Sequence, residues 1–173
     1  LIEGKNLDKP DFAREYMERC SRFGLPIDRV ELVGLSPNNQ YLTYHRIDIA
    51  LDPFPLNGGT TSMDVLWMGV PLVGLEGTSF KSRLTSGILL HLGRPEWLAK
   101  TRDGYVDIAV GLANDIDALN STRVNLRQEL ENSVLMREDV FCKFFGEGLR
   151  TMWLQWLAQD VHPGDTEEQV AAQ

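Results

Sequence analysis

The sequence predicts an α/β fold, a parallel sheet with helices on both faces. Three observations predict it. Short apolar runs at residues 30–33, 47–51 and 70–75 alternate with longer segments of helical period. Each run is apolar nearly throughout, which suits strands buried on both faces. The chain has 173 residues, 43% hydrophobic and 24% charged, enough for one ordinary domain with a real core.

Asp8-Lys9-Pro10 reads as the start of the first helix, with Asp8 as N-cap and Pro10 in the first turn. Phe12, Tyr16, Met17, Cys20 and Phe23 follow at helical spacing, and Gly24 with Pro26 ends the run. After the strand at 30–33, Ser36-Pro37-Asn38 opens a second helix that runs to His45, and 47–51 is the next strand. Residues 52–59 hold two prolines and two glycines and can only be a loop. From Thr60 a helix carries Met63, Leu66 and Trp67 on one face and stops at Gly69. The strand at 70–75 has Pro71 near its first position, where a missing N–H does least harm. Helical segments are expected at 80–92, 96–100, 104–113, 115–130 and 139–157. Residues 1–158 thus form one folded unit and 159–173 a polar, disordered tail. Only three or four strands are visible, and the chain opens on Leu1-Ile2 at what reads as a strand end. A longer parent, truncated at the amino end, is therefore expected.

Lys and Arg number 17 against 25 Asp and Glu, a net charge of −8. Nucleic acid and anionic membranes need a basic surface, so neither is expected as a partner. The longest apolar runs are far shorter than a membrane span, and nothing resembles a secretory signal. Cys20 and Cys142 stand far apart, without a CxxC or His/Cys cluster, which argues against structural zinc and a disulfide scaffold.

The chemistry lies in residues 49–64, Ile-Ala-Leu-Asp-Pro-Phe-Pro-Leu-Asn-Gly-Gly-Thr-Thr-Ser-Met-Asp. Ligands of open parallel sheets sit beyond the carboxyl ends of the strands, where this loop must run. The helix that follows presents unpaired N–H groups and the positive end of its dipole, a natural seat for phosphate. Gly58 and Gly59 let the backbone come close, Thr60 and Thr61 add hydroxyl donors, and Asp64 lies one turn on, placed to accept from ribose hydroxyls. From spacing alone the stretch reads equally as a turn followed by an N-cap. No Lys follows the glycines as in a Walker loop, and GxGxxG is absent.

The run from Asp48 to Pro55, then Asn57-Gly58-Gly59-Thr60-Thr61, then Asp64 to Pro71, closely resembles the nucleotide-sugar-binding half of the O-GlcNAc transferase family. These are GT-B glycosyltransferases, often fused behind tetratricopeptide repeats, and the plant SPINDLY proteins share the motif. The likeness extends over about residues 1–157 and includes Ser79-Phe80-Lys81-Ser82-Arg83 and Met152-Trp153. It implies a Rossmann-like sheet, the C-terminal lobe of a GT-B enzyme. It places diphosphate contacts on Gly59, Thr60 and Thr61 and the ribose-binding acid on Asp64. Several family members carry His where this chain has Gly59. A family His at the start of the helix before the Asp48 strand falls on Gln40 or Tyr41 here, with His45 further along. The family's phosphate-binding Lys and its other lobe, with the histidine discussed as a base, lie upstream, so no catalytic residue is expected in this segment.

The implied function is transfer of GlcNAc from UDP-GlcNAc to Ser or Thr of proteins, without metal or cofactor, in the cytoplasm. GDP-fucose as donor, and a non-catalytic interaction or nucleotide-sensing module, are the alternatives. The implied partners are the nucleotide sugar, acceptor proteins, the N-terminal lobe and tetratricopeptide repeats.

Other residues have two readings each. His45 is a general base or phosphate ligand, or a structural histidine. Arg83 approaches phosphate or sugar, or forms a surface ion pair. The Ser36-Pro37 loop borders the nucleobase, as the corresponding family loop does. Asp52 is an acid at a strand's carboxyl end, or simply a turn former before proline. Trp67, Trp97, Trp153 and Trp156 read as core or inter-lobe packing. The last helix carries more apolar surface than one half-domain needs, enough to favour dimerisation of a fragment.

Overall fold

The computed structural model describes residues 1–35 and 41–160, with side chains to residue 158. Five short strands, all paired in parallel, form two sheets. In the first, β1 (Ile2–Gly4) lies beside β2 (Leu32–Gly34), Ile2 opposite Leu32, with α1 (Pro10–Arg22) as the crossover. The second has the order β3 (Ala50–Leu51), β4 (Leu72–Leu75), β5 (Leu98–Ala99). Here α2 (Thr60–Trp67) and α3 (Leu84–Leu92) make the two crossovers, and α4 (Arg102–Asn114), α5 (Ile116–Asn132) and α6 (Glu138–Asp160) follow.

Sequential strands pairing in parallel through helices are what alternating βα segments predicted. The centre of the sheet shows why the runs are uniformly apolar. Leu72 and Val73 are successive residues, so they point to opposite faces, and both are buried. Against this strand pack α3 and α4, while α5 packs on α2. Leu66 of α2, Val70, Leu89 of α3, and Leu126 and Leu130 of α5 are all wholly inaccessible and make one cluster with Tyr44 and Trp97. Removing a leucine there would cost about 2–5 kcal/mol, because such a core cannot fully collapse around the gap.

Several expectations are corrected. The strands are shorter than the apolar runs, since pairing rather than hydrophobicity sets their length. Residues 96–100 are not a helix: Pro95–Trp97 is a 3₁₀ turn and Leu98–Ala99 is β5, drawn into the sheet by Gly74 and Leu75. The 80–92 helix begins as a separate 3₁₀ turn, Phe80–Ser82, closed by reciprocal bonds between Ser79 and Ser82. The N-cap of α1 is Lys9 rather than Asp8, and it makes no side-chain cap, although Pro10 does open the helix. Leu42–Arg46 is a 3₁₀ helix, and the expected helix start at 36–38 lies outside the described residues. So does the tail, apart from the end of α6.

Trp97 is buried and Trp67 packs against the core, but Trp153 and Trp156 stay outside it. They stack on each other with ring centroids 5.0 Å apart, as Phe141 and Phe145 do at 5.4 Å. No helix among the described residues is long and apolar enough to cross a membrane.

Candidate functional site

The carboxyl ends of β3, β4 and β5 open onto the loops at 52–59, 76–83 and 100–101. The first of these is held by a carboxylate. Asp52 follows β3 directly and is 3% exposed. Its Oδ1 accepts from the Gly58 N–H at 2.9 Å and the Ser62 hydroxyl at 3.4 Å, and its Oδ2 from the Thr85 hydroxyl at 2.7 Å. Its carbonyl accepts from the Tyr105 hydroxyl of α4 at 2.9 Å. Burial pushes the Asp52 carboxyl above its ordinary range, and the donors at Thr85, Gly58, Ser62 and Asn57 oppose that shift.

This explains Gly58. A Cβ there would stand 2.5 Å from Ser62 Oγ and 3.2 Å from Asp52 Oδ1, so the close approach is to the protein's own carboxylate and hydroxyl. Gly59 differs. It is the N-cap of α2, and a Cβ there would meet only Leu84 Cδ1, at 4.0 Å. The two glycines read as a pair in the sequence have separate reasons. Asn57 is buried and anchored, its N–H donating to the Lys81 carbonyl at 3.0 Å and its Nδ2 to the Pro53 carbonyl at 3.1 Å.

Beyond Gly59, the Met63 N–H is the first in α2 to bond back, to the Gly59 carbonyl at 3.2 Å. The amides of Thr60, Thr61 and Ser62 precede it and have no helical acceptor, and no side chain caps them. Thr60 and Thr61 are exposed. The first turn of α2 thus combines free amides, the positive end of the helix dipole and two accessible hydroxyls.

Asp64, one turn further along α2, lines a groove of about 560 Å³ together with Tyr41, Trp67, Met68, Arg127 and Met136. The structure therefore brings Tyr41 and Asp64 together. Tyr44, just behind, is pushed up to about 12 by burial first and then by the charges of Asp64 and Glu3 and by Tyr41. Arg127 is fixed at the far end, its guanidinium 4.7 Å from the Trp67 ring centroid and its Nε donating to the Trp67 carbonyl at 3.0 Å.

His45 is exposed on the 3₁₀ helix but does not line this groove. Arg83 is exposed where the 76–83 loop enters α3, and it forms no ion pair among the described residues. Pro37 and Gln40 lie outside the described residues. A larger cleft of about 610 Å³ sits at the amino ends of the strands. Its charges are largely matched already, Arg46 with Glu31 at 2.6 Å and Asp48 with Arg123, so it is the weaker candidate.

The sequence reading missed the partners of Asp52. Its signal was an acid closing an apolar strand, with hydroxyls at Ser62 and Thr85 in the next two helices. Which hydroxyl reaches it was not legible.

Comparison with known proteins bears on this site. Residues 11–145 match the model of glycosyl transferase family 41. A probable UDP-N-acetylglucosamine--peptide N-acetylglucosaminyltransferase SPINDLY of Petunia hybrida is 31% identical over 93% of this chain and 18% of its own length. The UDP-N-acetylglucosamine--peptide N-acetylglucosaminyltransferase of Caenorhabditis elegans is 33% identical over 79% of this chain and 12% of its own. The solved structure of a Thermobaculum terrenum O-GlcNAc transferase mutant superposes with a TM-score of 0.79 at 34% identity, over 87% of this chain and 29% of that one. The chain thus spans less than a fifth of these two curated relatives. Its parallel α/β fold is that of the C-terminal GT-B lobe expected from the sequence, and the chain belongs to glycosyltransferase family 41.

Proposed function

We propose that this chain is the donor-binding half of a protein O-glycosyltransferase that moves GlcNAc from UDP-GlcNAc to Ser or Thr hydroxyls of proteins. One observation carries the reading. The uncapped first turn of α2, with Thr60 and Thr61 accessible, stands one turn before Asp64 at the carboxyl edge of a parallel sheet. The diphosphate takes the free amides and hydroxyls, and Asp64 accepts from the ribose. The groove along Tyr41, Trp67 and Met68 gives room to the nucleoside.

In this reading the chemistry supplied here is electrostatic. As the glycosidic bond breaks, negative charge grows on the leaving diphosphate, and fixed N–H dipoles and hydroxyls aimed at it stabilise that charge without reorganising. Holding such charge is a task the helix end performs with no metal. The acceptor surface and the proton-accepting group belong to the remainder of the longer protein. UDP is chosen over GDP because the relatives are named for UDP-N-acetylglucosamine.

The test is calorimetric titration of this chain, and of the longer protein, with UDP, GDP and their sugars. UDP is expected to bind the chain weakly, with no turnover by the chain alone. Tighter binding of GDP would move the donor to GDP-fucose. A longer protein that binds no nucleotide would replace the transferase reading with an interaction module.

A further inference from the structure

Asp52 touches neither the free amides of Thr60 and Thr61 nor the groove beside Asp64, yet it meets α2, which carries them, and α3, which packs on α2. Its Oδ1 takes the Gly58 amide and the Ser62 hydroxyl of α2, and its Oδ2 takes the Thr85 hydroxyl of α3. Thr85 Oγ1 also lies 3.4 Å from the Gly58 carbonyl and 3.4 Å from Ser62 Oγ, which closes the arrangement into a ring. Asp52, Ser62 and Thr85 are each at least 97% buried. Among the described residues no Lys, Arg or His nitrogen comes within 4.0 Å of the carboxylate.

A buried carboxylate without a cation is a poor choice for stability alone, because desolvating a charge is expensive and apolar packing of equal volume would avoid that cost. What it provides is direction. Two oxygens accepting from three elements fix where Gly58 points, and the orientation of Gly58 sets how Gly59 leads into the first turn of α2.

We propose that Asp52 is the positioning residue of the donor seat. It locks the Gly58 amide and the first turn of α2 onto α3 through Ser62 and Thr85, so that the Thr60 and Thr61 donors stay aimed outward. This rests on the proposed function for the identity of the ligand, but not for the geometry. The carboxylate and the ligand then share the positive end of α2, the carboxylate on its inner side and the diphosphate on its outer side.

The variants are Asp52→Asn, Thr85→Val, which keeps shape and removes the hydroxyl, and Thr85→Ser, which restores it. Two measurements are made on the full chain. In the first, without nucleotide, amide exchange and amide resonances are read by NMR. Asp52→Asn and Thr85→Val should speed exchange at Gly58 by about tenfold or more and move the Thr60 and Thr61 resonances, the size expected for losing a hydrogen bond to a charged group. Exchange at Leu126 and Leu130 should be unaltered, and Thr85→Ser should behave as the unmodified chain. In the second, UDP-GlcNAc affinity should fall about tenfold in Thr85→Val and recover in Thr85→Ser.

Unchanged Gly58 exchange and unmoved Thr60 and Thr61 resonances in a folded Thr85→Val chain would overturn the proposal, whatever the nucleotide does. Equal slowing or quickening at Leu126 would also overturn it, by showing a general structural role. Variants that show the NMR effects, together with an unmodified chain that binds no UDP-GlcNAc, would leave Asp52 as the organiser of the turn and overturn the donor reading instead.

Discussion

The Thr85 hydroxyl donates to the Asp52 carboxylate at 2.7 Å, joining residues 33 apart in sequence and in successive crossovers of the fold. This bond ties the loop after β3 to α3, and the proposed donor seat lies on the loop's outer side.

At the seat itself, Thr60→Ala removes a hydroxyl and Asp64→Ala a carboxylate, each from an accessible position on α2. Each should weaken UDP binding by about 1–3 kcal/mol, the range for hydrogen bonds that involve a charged partner. Calorimetric titration measures this directly. Unmodified affinity in both variants would mean that the nucleotide sits elsewhere.

Behind the seat, Gly58→Ala forces a methyl to within 2.5 Å of Ser62 Oγ. That hydroxyl and Asp52 are both buried and held in the bonds around the carboxylate, so the variant should lose about 1–3 kcal/mol of stability, as over-packed interiors do. Urea denaturation reads this out, and an unshifted midpoint would contradict the close contact.

Tyr105→Phe deletes the hydroxyl that donates to the Asp52 carbonyl at 2.9 Å while keeping the ring edge-on to Phe54, centroids 5.6 Å apart. The loss should be about 0.5–1.5 kcal/mol of stability. A value near zero would show that water replaces the phenol.

Alkaline pH should destabilise the fold through two phenols. Tyr44 and Tyr105 are both pushed up to about 12 from 10.0, chiefly by burial, with Asp64 and Asp52 respectively adding to it. Above the ordinary value the unfolded chain releases these protons while the folded chain keeps them. Stability is therefore full below pH 10 and falls as pH rises toward 12. Denaturant midpoints taken across that range should decline, and less steeply in Tyr44→Phe. A flat profile would mean that neither phenol is shielded.

Much of this molecule was legible before its coordinates. The loop from Asp52 to Gly59 followed by a helix at Thr60 could be read because two prolines, two glycines and paired threonines leave few alternatives. Leu66 and Val70 through Val73 declared the core by their unbroken apolarity. What failed has physical reasons. Leu98–Ala99 is too short to show strand periodicity, and its pairing with Gly74 and Leu75 is a tertiary fact. Asp52 before Pro53 looks like a turn former because local sequence carries no information about Thr85 or Tyr105. The groove beside Asp64 likewise depends on Arg127 and Met136, which only the packing of α5 and the turn after it brings near.

The unequal demands on neighbouring glycines have a consequence for how this cradle can diverge. Position 58 tolerates no atom beyond the backbone, whereas position 59 opens onto free space with a single methyl at 4.0 Å. A new side chain at 59, an imidazole included, would meet first Leu84 Cδ1 and leave the ring of bonds beneath undisturbed. The proposed donor seat can therefore vary at its edge, position 59, while the floor that supports it stays unaltered.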